Sequence, residues 1–209
     1  LAVSPANFEE QLQVLKEVGE ILPLWELAVR TKETRRKKRL IALSFDDGYI
    51  DALSAVAPLL CSKGIPFHVF VSSARMNGTD RKYMSGSQVA ELAAMPGVTI
   101  GCHGAEHHSL TSLSIAEAAN DLRKRKLGVE AAVQHTIDTM SYPYGHVNDA
   151  VRTAAQQVGF TQAACSTWGF NTQETDHMML KRIDMWAGDN PSTVRDKVLG
   201  YWNWFGLLS

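Results

Sequence analysis

The feature that most constrains the fold is a regular alternation of short apolar runs with amphipathic stretches along the chain. The apolar runs are typical of buried strands, and the amphipathic stretches place apolar residues at helical spacing. Strands that alternate with helices in this way form a parallel sheet covered by helices, so the sequence predicts an α/β fold. A chain of 209 residues is predicted to form a single domain over residues 1–209.

Glycine and proline punctuate this alternation and set most of the predicted ends. The predicted strands cover residues 39–45, 67–72, 98–102, 139–142, 160–166 and 179–185. The predicted helices begin at Pro5 and cover residues 51–63, 85–95, 113–127, 147–158 and 191–204. Gly64 is expected to end the second of these helices and Gly128 the fourth.

Composition excludes several classes of partner. The formal net charge is −1, so there is no overall positive field to attract nucleic acid. No apolar stretch reaches the roughly 20 residues that a membrane-spanning helix needs, and no signal peptide is recognised. Localisation is left open, because the chain begins at Leu1 and a truncated amino end is expected. The three cysteines are odd in number and far apart, which favours free thiols over disulfides.

Acidic and imidazole side chains follow two of the predicted strands. Asp46 and Asp47 come after the first strand, and His103 and His107 come after the third. The carboxyl ends of parallel strands meet at one edge of the sheet, so these side chains are expected to converge there. One carboxylate and two imidazoles form a three-ligand site with an open position, as catalytic zinc requires. Co²⁺ or Ni²⁺ would suit the same donors, and the second carboxylate would be free to act as a base.

Three segments in this order resemble the motifs of the polysaccharide deacetylases, which are carbohydrate esterase family 4 and contain the NodB homology domain. Residues 44–48 (Ser-Phe-Asp-Asp-Gly) resemble the first motif. The histidine pair within residues 103–107 resembles the second motif, and residues 141–145 (Ser-Tyr-Pro-Tyr-Gly) resemble a variant of the third. The resemblance implies a distorted (β/α) barrel. Since that barrel normally has seven strands, the six predicted here suggest a missing N-terminal strand.

The resemblance also implies an activity, the metal-dependent removal of N-acetyl groups from an N-acetylated polysaccharide or glycan precursor. It assigns Asp47, His103 and His107 to the metal and makes Asp46 the general base. The backbone N–H of Tyr144 would stabilise the oxyanion.

Aromatic residues near the third motif are candidates for binding the sugar. Tyr142, Pro143 and Tyr144 are expected to line the substrate groove. Trp168 follows a predicted strand and is expected to stack on a sugar ring.

Two departures from the family pattern affect the catalytic assignment. The family often has an arginine that orients the catalytic aspartate, where this chain has Ser141. Arg182, near the end of a later predicted strand, is predicted to reach Asp46 instead. The family's C-terminal histidine, its general acid, has no counterpart after His177. The group that protonates the leaving amine is therefore unassigned, with His146 as a candidate.

Three alternative functions stay open. Residues 103–107 also match H-x-x-E-H, the inverted zinc-protease motif with Glu106 as base, but that motif needs a helix and leaves Asp46 and Asp47 unexplained. Hydrolysis of another non-peptide amide would use similar metal chemistry. A catalytically impaired pseudoenzyme that binds glycan would explain the missing acid.

Overall fold

The computed structural model describes residues 3–30, 38–76, 78–103 and 110–207. Within these residues the strands are β1 (Gly19–Ile21), β2 (Arg39–Ile41), β3 (Ser44–Phe45), β4 (Phe67–Val71), β5 (Val98–His103), β6 (Thr139–Ser141), β7 (Gln162–Trp168) and β8 (Leu180–Arg182). The α-helices are α1 (Pro5–Val18), α2 (Leu24–Arg30), α3 (Ala57–Ser62), α4 (Ser73–Met76), α5 (Gly86–Ala93), α6 (Ile115–Val133), α7 (Asp149–Gln157) and α8 (Pro191–Leu199). A π-helical turn, Ala52–Val56, leads into α3.

The sheet follows the order of the sequence. Strands β3 to β8 form one six-stranded parallel sheet in the order β3-β4-β5-β6-β7-β8, and β1 pairs with β2 in a separate two-stranded parallel sheet. Consecutive parallel strands require a crossover between each pair, and helices supply most of these crossovers. The result is an α/β fold with a curled, half-barrel parallel sheet, which confirms the predicted fold class.

Capping residues explain where several helices begin. The Ser4 hydroxyl accepts a hydrogen bond from the Asn7 N–H ahead of Pro5, which is the first residue of α1. Ser114 and Glu117 form a reciprocal capping box at the start of α6. These side chains satisfy N–H groups that have no partner within the first helical turn, so they place the helix starts close to the predicted positions.

The central strands are buried on both faces. All five residues of β4 are buried, and Val69, Phe70 and Val71 have no exposed surface. Burial on both faces is typical of a parallel sheet that helices cover, and it explains why these strands are continuous apolar runs in the sequence.

The first predicted strand and the fourth predicted helix differ from the structure. Residues 39–45 form two strands because β2 pairs with β1 and β3 pairs with β4, so one apolar run serves two sheets. Helix α6 continues through Gly128 to Val133 and ends where Gln134 takes a left-handed conformation. Gly128 serves close packing there, since a β-carbon would lie 2.7 Å from Ser73 Cβ.

The last predicted helix is shorter than expected. Helix α8 ends at Leu199 because Gly200 has a φ of 99°, and a 3₁₀ turn follows at Asn203–Leu207. Across the described ranges, no helix is both long and apolar enough to cross a bilayer. All three cysteines are free, as predicted.

Candidate active site

The acidic pair lies in a tight turn directly after β3. Asp47 has a φ of 74° and Gly48 a φ of 73°, so two consecutive residues take left-handed conformations. Aspartate tolerates this region better than most residues, and glycine has no β-carbon to clash. The turn packs closely, since a β-carbon at Gly48 would lie 3.1 Å from Val71 Cγ1. It brings Asp46 and Asp47 to the same cavity at the carboxyl edge of the sheet.

Asp46 is held by side chains from two other strands. Arg182 Nη1 donates to Asp46 Oδ1 at 2.8 Å, and the Ser141 hydroxyl donates to Oδ2 at 3.2 Å. Arg182 also donates to Ser141 Oγ at 3.1 Å and to the Cys165 carbonyl at 3.0 Å. Burial alone would raise the pKa of Asp46, but the Arg182 charge and hydrogen bond, with smaller contributions from His103 and Ser141, bring this pKa below its usual value. Asp46 is therefore an ionised and oriented carboxylate.

His103, the last residue of β5, is oriented towards Asp47. Its Nδ1 lies 3.1 Å from the backbone carbonyl of Ser141, and because a carbonyl only accepts, this nitrogen is the donor. Its Nε2 lies 3.5 Å from Asp47 Oδ1. A hydrogen bond to the far nitrogen is the usual way in which proteins orient a metal-binding imidazole.

Arg75 also contacts Asp47, and it was not among the residues predicted from the sequence. Its Nη1 lies 2.5 Å from Asp47 Oδ1, the oxygen that faces His103. Arg75 belongs to α4, which begins two residues after β4 ends, so it comes from the same edge of the sheet as the predicted residues. The convergence of strand ends at one edge would have identified it.

The third motif forms a 3₁₀ turn, Pro143–Gly145, directly after β6. Tyr144 has a φ of 55° and is 55% exposed, so its side chain projects from the edge of the sheet. Gly145 has a φ of 67° and packs directly against Ser166, where a β-carbon would overlap both the serine side chain and its backbone nitrogen. The turn therefore depends on glycine at this position.

These strand ends enclose a cavity of about 270 Å³. It is lined by Asp46, Asp47, Ser72, Arg75, His103, Tyr142, Pro143, Tyr144, Gly145, Ser166 and Arg182. The cavity thus contains two carboxylates, each hydrogen-bonded to an arginine, together with an imidazole and an exposed aromatic ring. That combination suits the hydrolysis of a polar substrate.

Two residues predicted to bind substrate have buried side chains. Tyr142 borders the cavity but is 0% exposed, and Trp168 is 5% exposed and packs near Trp186. Both rings are covered by neighbouring residues in this structure, and sugar binding by Tyr142 and Trp168 stays a prediction. Two other predicted residues, His107 and Glu106, lie outside the described residues.

A family model described as polysaccharide deacetylase matches residues 33–163, more than half of the chain. The chain belongs to the polysaccharide deacetylase family.

Individual relatives are distant in sequence, and a solved deacetylase structure has a similar fold. YxkH of Bacillus subtilis (strain 168) is 21% identical over 190 residues, which cover 90% of this chain and 67% of YxkH. Chitin deacetylase 1 of Cryptococcus neoformans is 28% identical over 124 residues, which cover 59% of this chain but only 25% of the fungal protein. The structure of Streptococcus pyogenes deacetylase PplD in complex with acetate superposes with a TM-score of 0.83 at 20% identity, covering 94% of this chain and 87% of PplD.

Deacetylases of this family are typically metal-dependent, and two of the described residues fit a metal. Asp47 Oδ1 and His103 Nε2 face one another at 3.5 Å, and the Ser141 carbonyl holds the imidazole in the tautomer that leaves Nε2 able to bind a cation. A carboxylate oxygen and an imidazole nitrogen are both zinc donors.

Proposed function

We propose that this protein is a metal-dependent hydrolase that removes N-acetyl groups from an N-acetylated polysaccharide or glycan precursor. One observation carries this proposal. The Asp46 carboxylate, which Arg182 holds, lines the same cavity as the pair formed by Asp47 and His103. Membership of the polysaccharide deacetylase family supports an acetylated glycan as the substrate.

In this proposal Asp47, His103 and His107 hold the metal, with Zn²⁺ favoured and Co²⁺ or Ni²⁺ also compatible with these donors. When bound, such a cation would polarise the amide carbonyl and lower the pKa of a water molecule. His103 contributes an imidazole whose orientation is already set by its hydrogen bond to the Ser141 carbonyl.

Asp46 acts as the general base and takes a proton from the attacking water. Arg182 and Ser141 each bond one of its two oxygens, which fixes the plane of the carboxylate and favours its ionised form. Each carboxylate oxygen can accept more than one hydrogen bond, so both oxygens can still accept from water. Arg182 is in this way a positioning residue for the base.

In this proposal the backbone N–H of Tyr144, in the Pro143–Gly145 turn that borders the cavity, donates to the developing oxyanion, and Pro143 and the exposed Tyr144 ring bind the sugar. Cleavage of the amide bond gives acetate and a free amine. The amine needs one proton, and His146 is the candidate donor. Its ring centroid lies 5.9 Å from that of Tyr144, which lines the cavity.

The peptidase alternative fits this geometry less well. An inverted zinc-protease motif requires both histidines within a helix, whereas His103 is the last residue of strand β5. That alternative also leaves the bonding of Asp46 to Arg182 without a role.

The decisive experiment compares acetate release from N-acetylglucosamine oligomers, peptidoglycan fragments and poly-N-acetylglucosamine by zinc-loaded wild type and Asp46→Asn. We expect the substitution to lower turnover about 10²- to 10⁴-fold, the usual contribution of a general base. Asp149→Asn is the matched control, because the Asp149 side chain is 94% exposed, and it should keep full activity.

Metal content measured after dialysis separates the two aspartates. Asp46→Asn should retain the metal, and Asp47→Asn should lose it. Full turnover by Asp46→Asn would refute the assignment of the base. Metal binding without acetate release from any of these substrates would instead favour the pseudoenzyme.

A further inference from the structure

Three planar side chains form a stack that runs from the cavity to the surface. The Arg75 guanidinium lies 4.4 Å from the centre of the Tyr83 ring, and the Tyr83 ring stacks on Tyr49 with centroids 4.9 Å apart and an interplanar angle of 24°. At the inner end Arg75 bonds Asp47. At the outer end Tyr49 is 41% exposed. We call Arg75, Tyr83 and Tyr49 the tyrosine stack.

Backbone pairing holds the stack in place. Tyr49 and Tyr83 form an isolated antiparallel bridge, flanked by hydrogen bonds from the Ile50 N–H to the Lys82 carbonyl at 2.8 Å and from the Met84 N–H to the Gly48 carbonyl at 2.9 Å. Both rings are therefore positioned before any ligand arrives. A preorganised aromatic surface loses little conformational entropy on binding.

The exposed part of the stack is small and has polar neighbours. The segment before Tyr83 contains Asp80, Arg81 and Lys82, all exposed. A stable protein interface needs about 800 Å² on each partner with an apolar centre, which one tyrosine ring with charged neighbours does not supply. A single ring matches the apolar C–H face of one sugar unit, whose hydroxyl groups can contact the polar surroundings.

The position of the stack connects it to the proposed chemistry. Tyr49 is two residues from Asp47, and Arg75 itself lines the cavity. A polymer chain with one unit in the cavity must continue over the surface outside it, and two ring contacts lead from Arg75 in the cavity lining to the exposed Tyr49 ring.

We propose that the tyrosine stack is a second sugar-binding subsite, in which Tyr49 stacks on a unit of the polymer next to the unit being deacetylated. This inference rests on the proposed deacetylase function. It predicts that binding strengthens with oligomer length, because a longer oligomer fills both the cavity and the subsite.

The test measures KM and kcat for wild type, Tyr49→Ala and Tyr49→Phe on N-acetylglucosamine oligomers of two to six units. Binding of the same oligomers to the Asp46→Asn protein is measured by calorimetry. A stacked ring contributes about 0.5–1.5 kcal/mol, so Tyr49→Ala should weaken binding of the longest oligomer about 2- to 12-fold and flatten the dependence on length. Tyr49→Phe keeps the ring and should stay close to wild type.

Tyr201→Ala is the matched control, because Tyr201 is 71% exposed and belongs to neither the stack nor the cavity lining. Normal turnover with the same length dependence in Tyr49→Ala and wild type would overturn the subsite alone. An equal loss of kcat on every oligomer would also overturn it, since Tyr49 would then act through Arg75 on the catalytic site. Wild type that neither binds nor deacetylates these oligomers, peptidoglycan fragments or poly-N-acetylglucosamine would refute the proposed function, and the subsite with it.

Discussion

Lys197 is a buried cation, and its removal should be among the most destabilising single changes in this protein. The side chain is 0% exposed, and its Nζ bonds Asp189 Oδ2 at 2.5 Å and the Asp184 carbonyl at 3.0 Å. The same nitrogen lies 3.8 Å from the centre of the Trp186 ring. These contacts tie α8 to the segment that follows Arg182.

The expected cost follows from what Lys197→Met leaves behind. Asp189 has a side chain that is 4% exposed. Without Lys197 it would be a buried carboxylate whose one remaining donor among the described residues is the backbone N–H of Trp186, at 2.7 Å. Breaking one partner of a buried ion pair costs about 3–5 kcal/mol. The double variant Lys197→Met/Asp189→Asn removes both charges and keeps an acceptor for the Trp186 N–H. It should therefore recover at least about 2 kcal/mol of that loss.

Urea denaturation measures the free energy of unfolding of the single and double variants against wild type. The matched control is Lys63→Met, the same change at a lysine that is 34% exposed and lies 3.0 Å from Glu9. The control should cost less than about 1 kcal/mol. A cost below about 1 kcal/mol for Lys197→Met, or a double variant no more stable than the single one, would refute this account of the buried pair.

Three further changes test the site and its supports. Arg182→Lys should lower turnover about 10- to 100-fold while the metal stays bound. One ammonium group cannot reproduce the planar set of bonds that Arg182 makes to a carboxylate, a hydroxyl and a carbonyl. An unchanged kcat would contradict the positioning role of Arg182. Gly145→Ala should cost roughly 2–4 kcal/mol in urea denaturation, since it adds overlap with Ser166 to the strain of a positive φ. Gly64 has a φ of 63° and open space around it, so Gly64→Ala should show the cost of the strain alone. Equal losses of unfolding free energy in Gly64→Ala and Gly145→Ala would argue against the overlap. Burial lowers the pKa of His68 to about 3, so the unfolded chain binds more protons than the folded protein between pH 6.5 and 3. The free energy of unfolding should therefore decrease as the pH is lowered across that window. When the pH is lowered from about 7 to about 4, the free energy of unfolding of His68→Gln should decrease by about 2–3 kcal/mol less than that of wild type. Parallel profiles of unfolding free energy against pH for the two proteins would exclude this contribution.

Residues near the strand ends show how much of the site could be predicted from the sequence. Asp46, Asp47, His103 and Tyr144 line one cavity because each lies at or just after the carboxyl end of a parallel strand, and the alternation of strands with helices predicted that the strands are parallel. The contact of Arg182 with Asp46 could be anticipated for the same reason. The contact of Arg75 with Asp47 follows from the same geometry but carries no motif of its own.

Burial and close packing could not be predicted in this way. Tyr142 and Trp168 had the residue type and position of sugar-binding groups, yet neighbouring elements cover both rings. Gly128 has the appearance of a helix end, yet α6 continues through it, because the close approach of Ser73 requires a residue without a side chain.

The sequence by itself determined the α/β class, the parallel direction of the strands and the edge of the sheet at which the acidic and imidazole groups meet. All three depend on local periodicity, on turn residues and on the right-handed crossover between neighbouring parallel strands. Only the tertiary structure decided which aromatic rings stay open, how Arg75 and the tyrosine stack adjoin Asp47, and that Lys197 is buried against Asp189. Those outcomes depend on contacts between residues far apart in the chain, where one neighbour determines whether a side chain reaches solvent.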